Sequence, residues 1–176
     1  MSTTTLHPQC TEEDRIQIRL AALNDCAPEV ARAQFQRCCG SWQWIHRMER
    51  ARPFADVTDL EACAGDIWES CSREDWLEAF AAHPRLGEQP VNRWSRQEQS
   101  GVAAAPPRIL AALHEANLRY EAKFGYTFIL CASGKNAIEV MAELEERLKH
   151  SAQVEIQIAA AQQRLILQLR LRKLSG

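Results

Sequence analysis

Apolar residues recur every three or four positions along most of the chain, the spacing of helices that each bury one face. Leu60, Cys63, Ala64, Ile67 and Cys71 form such a face behind Thr58-Asp59-Leu60-Glu61, in which Thr58 and Glu61 have the spacing of a capping box. The next helix is expected to begin near Ser72, to turn Trp76, Leu77 and Phe80 inward, and to stop by His83, because the ring of Pro84 disfavours helical dihedrals in the residue before it. Pro106-Pro107 closes one segment and opens another, along which Leu110, Leu113, Asn117, Tyr120 and Phe124 share a face that ends at Gly125. "YTFILCASG" then interrupts the pattern with a short aromatic and apolar run, read as an irregular connector over 126–134. After Asn136 the stripe Ile138, Met141, Leu144 and Leu148 resumes, with Glu143/Arg147 and Glu145/Lys149 as outward ion pairs. A last helix is expected to turn Val154, Ile158, Ala161, Leu165 and Leu169 inward. The pattern predicts an all-α fold, a single compact domain of about eight helices over residues 11–176 behind a loose tail over 1–10.

Composition narrows the function classes. At 176 residues the chain is long enough to bury a core without disulfide or metal staples. A formal net charge of -2 and a pI near 6.2 give no basic field for nucleic acid or an anionic membrane. The start "MSTTTLHPQC" has no charged, then apolar, leader, and no run is long enough to span a bilayer, so the cytoplasm is expected. The seven cysteines are odd in number and irregularly spaced, which reads as buried free thiols in a reducing compartment. His46, Cys38, Cys39 and Cys71 show no finger spacing, and no metal site is expected.

Three residues stand where chemistry is possible. His83 ends a helix, where unpaired carbonyls favour imidazolium; it reads either as a proton donor or as a C-capping side chain. Glu98, in "SRQEQSG", either completes a capping box with Ser95 or projects into a pocket at a helix N-terminus, where free amides favour an anion. Arg170, in "QLRLRKL", lies on the edge of the buried face of the last helix and reads either as a snorkelling cation or as a charge that a pocket could gather. Arg172 and Lys173 beyond it need do no more than complement the helix dipole.

The segments "RPF" (Arg52 to Phe54), "AHPRLG" (Ala82 to Gly87), "SRQEQSG" (Ser95 to Gly101), "NLRYEAKFGYTFILCASGK" (Asn117 to Lys135) and the terminal "QLRL" occur in the order found in the 2-oxo-4-hydroxy-4-carboxy-5-ureidoimidazoline (OHCU) decarboxylases, a family that this sequence resembles over most of its length. The resemblance implies an all-α enzyme without metal or organic cofactor, commonly a homodimer, that converts OHCU to S-allantoin with loss of carbon dioxide at the end of urate oxidation. It implies that His83, Glu98 and Arg170 are the catalytic residues, with Arg164 as the alternative arginine. It further implies that Pro84, Ser95, Gln97 and Gln99 line the pocket, and that the backbone of Phe128, Ile129, Leu130, Cys131 and Ala132 hydrogen-bonds a flat ureide.

Two other readings compete. The hydrolase that precedes this reaction resembles transthyretin, is built of strands and ends in a Tyr-Arg-Gly-Ser type tail, unlike the helical pattern and "RKLSG" end found here. A helical interaction module, in which the HP and EQ segments only cap helices, would lack ligand binding altogether.

Overall fold

The computed structural model describes residues 11–88 and 93–175 and contains no strand among them. The expected tail over 1–10 lies outside the described residues. Among the described residues ten helices follow one another: α1 (Glu12–Asp25), α2 (Pro28–Gln36), α3 (Trp42–Arg50), α4 (Val57–Glu69), α5 (Arg73–Ala81), α6 (Arg93–Glu98), α7 (Ser100–Ala103), α8 (Pro107–Phe124), α9 (Ala137–Arg147) and α10 (Ala152–Ser175). The all-α expectation holds; α6 and α7, too short to show a periodic stripe, account for the two helices beyond eight.

Short polar side chains set most helix starts by accepting from first-turn amides that have no partner within the helix. Ser72 and Asp75 form a reciprocal capping box at α5, and Asn136 and Glu139 do the same at α9. At α4 the cap is Asp56 rather than Thr58: Asp56 has extended dihedrals and its carboxylate accepts from the Asp59 amide, while Thr58 already lies inside the helix. Gly125 ends α8 with φ of 82°, as the sequence predicts.

The core is aromatic. Phe35 meets Trp44 and Phe54 edge-on, and Tyr120 packs against Phe124, Tyr126 and Phe128. Each fully buried ring of this kind contributes about 1.5–3 kcal/mol by leaving water, and two buried indole N–H groups are paired: Trp44 Nε1 donates to the Ala64 carbonyl (3.1 Å) and Trp68 Nε1 to that of Ala160 (2.9 Å). The second bond ties α4 to α10. The "RPF" segment belongs to this frame rather than to the pocket. Arg52 donates to the Leu23 and Cys26 carbonyls at 2.8 and 2.9 Å, collecting the open end of α1, while the Asn24 side chain brackets the backbone of Phe54.

The two C-terminal stripes differ from expectation. Leu144 is buried as expected, with Met141 and Leu148 packed beside it, but Ile138 is 70% exposed and Ala137 and Val140 take the core side in its place. Arg147 is buried rather than paired outward with Glu143; Glu143 meets Lys135, Glu145 meets Arg119, and Lys149 meets Glu146. On α10 Val154, Ala161 and Leu165 face outward, and the buried side carries Ile156, Ala159, Ala160, Ile166, Leu167 and Leu171. The same side also buries Glu155, Gln163 and Arg170, so a stripe drawn through apolar residues alone is turned away from the true face. Burial of Cys38, Cys39 and Cys71 agrees with the reading of free thiols, whereas Cys26, Cys63 and Cys131 are half-buried.

Candidate active site

His83 lies two residues beyond α5, its amide donating to the Phe80 carbonyl (3.0 Å), and Pro84 turns the chain away directly after it. Gly87, with φ of 90°, continues the turn in a backbone region that side chains rarely occupy. Two buried amides hold this loop: the Gly87 N–H donates to Gln99 Oε1 (3.2 Å), and Asn117 Nδ2 on α8 donates to the Leu86 carbonyl (3.0 Å). Gly101 permits a second close approach, since a Cβ there would meet the Lys135 carbonyl oxygen at 2.5 Å and push α7 off the end of the connector.

Glu98 is the last residue of α6, so it neither caps Ser95 nor stands at a helix N-terminus. Its carboxylate faces α10 across the pocket, where Arg170 Nε lies 3.1 Å from Oε1 and an Arg170 terminal nitrogen 2.8 Å from Oε2. The pair is paired two-fold and buried, with residue exposures of 9% for Glu98 and 6% for Arg170. Arg170 also donates to Ser95 Oγ (3.3 Å). Lys173 Nζ approaches Glu98 Oε1 at 3.3 Å, so this lysine adjoins the site instead of serving the helix dipole alone. Its spacing of three from Arg170, on the same helix face, was the available signal. Arg172 pairs outward with Glu61, and Arg164 pairs with Glu69 on another surface; the arginine beside Glu98 is Arg170.

One small pocket gathers His83, Pro84, Ser95, Glu98, Gln99 and Arg170 with the connector residues Phe128, Ile129, Leu130, Cys131 and Ala132. Leu86, Ser133, Ile166 and Leu169 complete its wall without having been anticipated. Gln97 is the exception among the expected residues: it points to solvent, because on α6 the buried side is that of Ser95 and Glu98. The connector is only in part open to a ligand. Arg147 donates to the Ile129 carbonyl, Gln162 accepts from the Cys131 amide, and the Lys135 amide takes the Ala132 carbonyl. Among the described residues the amides of Ile129, Leu130 and Ala132 make no hydrogen bond, and buried donors in this state are uncommon outside ligand sites.

Electrostatics overturn the expected imidazolium. Burial, and then the Arg170 charge, push the His83 pKa down to about 4, against a smaller opposite pull from Glu98 and from Gln163, which is fully buried on α10 beside the ring. His83 is therefore a neutral imidazole at neutral pH, a proton acceptor before it is a donor. The helix-end carbonyls that favour the cation are outweighed by desolvation and by a full positive charge. Burial also raises the Cys131 thiol, which keeps it from acting as a thiolate.

Known proteins share this arrangement of the chain. The sequence pattern of the OHCU decarboxylases, described as "OHCU decarboxylase", matches residues 24–172. A uric acid degradation bifunctional protein of Arabidopsis thaliana is 39% identical over 84% of this chain, which spans 48% of that protein, about half its length. A 2-oxo-4-hydroxy-4-carboxy-5-ureidoimidazoline decarboxylase of Amia calva is 31% identical over 68% of this chain and 73% of its own. The crystal structure of an OHCU decarboxylase in the presence of (S)-allantoin superimposes with a TM-score of 0.74 at 35% identity, covering 85% of this chain and 98% of that one.

Proposed function

The chain belongs to the OHCU decarboxylase family, and from that premise we propose that it removes carbon dioxide from 2-oxo-4-hydroxy-4-carboxy-5-ureidoimidazoline to give (S)-allantoin. One observation carries the reading: a neutral histidine, a charge-paired glutamate and arginine, and the connector residues Ile129, Leu130 and Ala132 with their unpaired amides, contributed by separate segments, converge on one pocket.

The chemistry asks little more. The substrate holds a carboxylate and a hydroxyl on one ring carbon beside a C=N unit. When the bond to carbon dioxide breaks, its electron pair enters the ring and the C=N nitrogen takes up a proton. The resulting enol becomes allantoin once the hydroxyl proton leaves and the ureido-bearing carbon is protonated, so the reaction consumes one proton overall. The substrate is its own electron sink, and the protein supplies orientation, exclusion of water and a proton path to one face.

His83, uncharged, accepts the hydroxyl proton and returns it to the adjacent carbon, which makes the product a single enantiomer. Arg170 turns its planar donors to carboxylate or ring oxygens, and Glu98 accepts from ureido N–H groups. Because Arg170 and Lys173 both balance Glu98, repulsion of the substrate carboxylate by Glu98 is a minor effect. Pro84, Ser95, Gln99 and the connector backbone shape the remaining wall. A cytoplasmic homodimer is the proposed working form, resting on the family resemblance, and light scattering of the purified protein measures that state. Among the described residues no helix is long and apolar enough to cross a membrane.

The test generates OHCU in place from urate with uricase and isourate hydrolase, adds the protein, and follows optical activity by circular dichroism. Rapid appearance of one allantoin enantiomer, lost in His83→Ala, is expected. Slow racemic product in the presence of folded protein would exclude the activity.

A further inference from the structure

Beside the pocket, and without touching its interior, lies a buried charged cluster. Arg147 is 3% exposed and Glu155 is fully buried. Arg147 donates to Glu155 Oε1 from Nε at 2.8 Å and from a terminal nitrogen at 2.5 Å, Tyr120 donates to the same oxygen, and His150 Nδ1 lies 2.9 Å from Oε2. Such a cluster is costly to bury and adds little net stability beyond what apolar packing would give. Its outward reach is specific: the other terminal nitrogen of Arg147 donates to the Ile129 carbonyl at 2.7 Å, and its guanidinium lies over the Phe128 ring at 4.5 Å from the centroid. Both residues line the pocket. From α10, Gln162 Oε1 accepts from the Cys131 amide at 3.0 Å, fixing the connector two residues further on.

We propose that Arg147 and Gln162 are positioning residues for the substrate, a two-point clamp that holds the connector so that the intervening Leu130 and the flanking unpaired amides face the ligand. The proposal rests on the decarboxylase reading of the pocket. Glu155 keeps the guanidinium plane in register, with Tyr120 and His150 fixing the carboxylate in turn. Neither clamp residue lines the pocket, so both act through the connector backbone.

Removing Arg147 alone would strand the Glu155 charge in the interior, so the informative variants are Arg147→Met/Glu155→Gln, which removes both charges, and Gln162→Leu, at a half-buried position. Each is compared with the wild-type protein in steady-state turnover of OHCU generated in place, with amide hydrogen exchange read over residues 126–134. The expected result is KM raised about tenfold, the ratio that corresponds to about 1.4 kcal/mol, with kcat within about twofold, an unchanged pH profile and faster exchange confined to the connector. Unchanged KM and unchanged connector exchange in folded Gln162→Leu would overturn the clamp, whatever the fate of the double variant. A lowered kcat with KM and exchange unaltered would also overturn it, since that pattern reports a smaller active fraction. Wild-type protein without decarboxylase activity would instead remove the functional reading, while the exchange comparison would still decide whether the two side chains hold the connector.

Discussion

Replacing His83 with glutamine, a neutral side chain of similar reach, should change how stability depends on pH. In the folded protein burial and Arg170 hold this histidine at about 4, against 6.5 for a free imidazole. Between those values the unfolded chain binds a proton that the folded chain refuses, so stability rises with pH across the window and is lost as pH falls through it. The gap from 6.5 to about 4, at about 1.4 kcal/mol per pH unit, corresponds to a loss of about 3 kcal/mol by pH 4. Carboxylates also titrate there, but they are common to both proteins and cancel in the difference. Urea unfolding of wild type and His83→Gln from neutral pH to about pH 4 should give curves that converge or cross as pH falls, the wild type losing up to about 3 kcal/mol more than the variant. Parallel curves would refute the depressed pKa, and with it the neutral imidazole. Activity supplies an independent check, because kcat/KM reports ionisations of the free enzyme. A neutral acceptor predicts an acid limb near 4 and no loss through pH 6.5, whereas a required imidazolium predicts about a tenfold fall per pH unit above the histidine's own pKa, whether that is about 4 or the ordinary 6.5.

Three further outcomes are expected. Arg170→Met leaves Glu98 with Lys173 as its remaining cation, and should lower kcat/KM at least about 100-fold while costing about 2–4 kcal/mol in urea unfolding, since half of a buried pair is removed. Arg164→Ala breaks only an exposed pair with Glu69; stability should change by less than about 1 kcal/mol and KM should stay within twofold, and a large rise in KM would return Arg164 to the site. Asn117→Leu strands the Leu86 carbonyl under the His83 loop and should cost about 1–3 kcal/mol, read as a Tm lower by several degrees, with a rise in KM if the loop shifts.

How far the sequence reveals this molecule depends on what each buried face is made of. On α8, where Leu113, Tyr120 and Phe124 mark the core side and Asn117 is the one polar residue among them, periodicity locates the face correctly. On α10 the buried face carries Glu155, Gln163 and Arg170, and a rule that equates buried with apolar moves the stripe onto Val154, Ala161 and Leu165. The displaced stripe has a physical cause: Arg170 pairs with Glu98 at the pocket and Glu155 pairs with Arg147 beside it, so polar side chains occupy core positions that packing alone would fill with apolar ones. The same logic explains His83. Its position at the end of α5 is readable from Pro84, but its charge is decided by Arg170, 87 residues away in the chain, and by enclosure under α10, neither of which leaves a local mark. Motif order identified which residues meet; only the folded chain shows that Glu98 and Arg170 neutralise each other, so a ligand that engages either must compete with a buried ion pair. That competition favours a substrate that offers both a carboxylate for the arginine and N–H donors for the glutamate, replacing each partner at once and leaving no charge stranded.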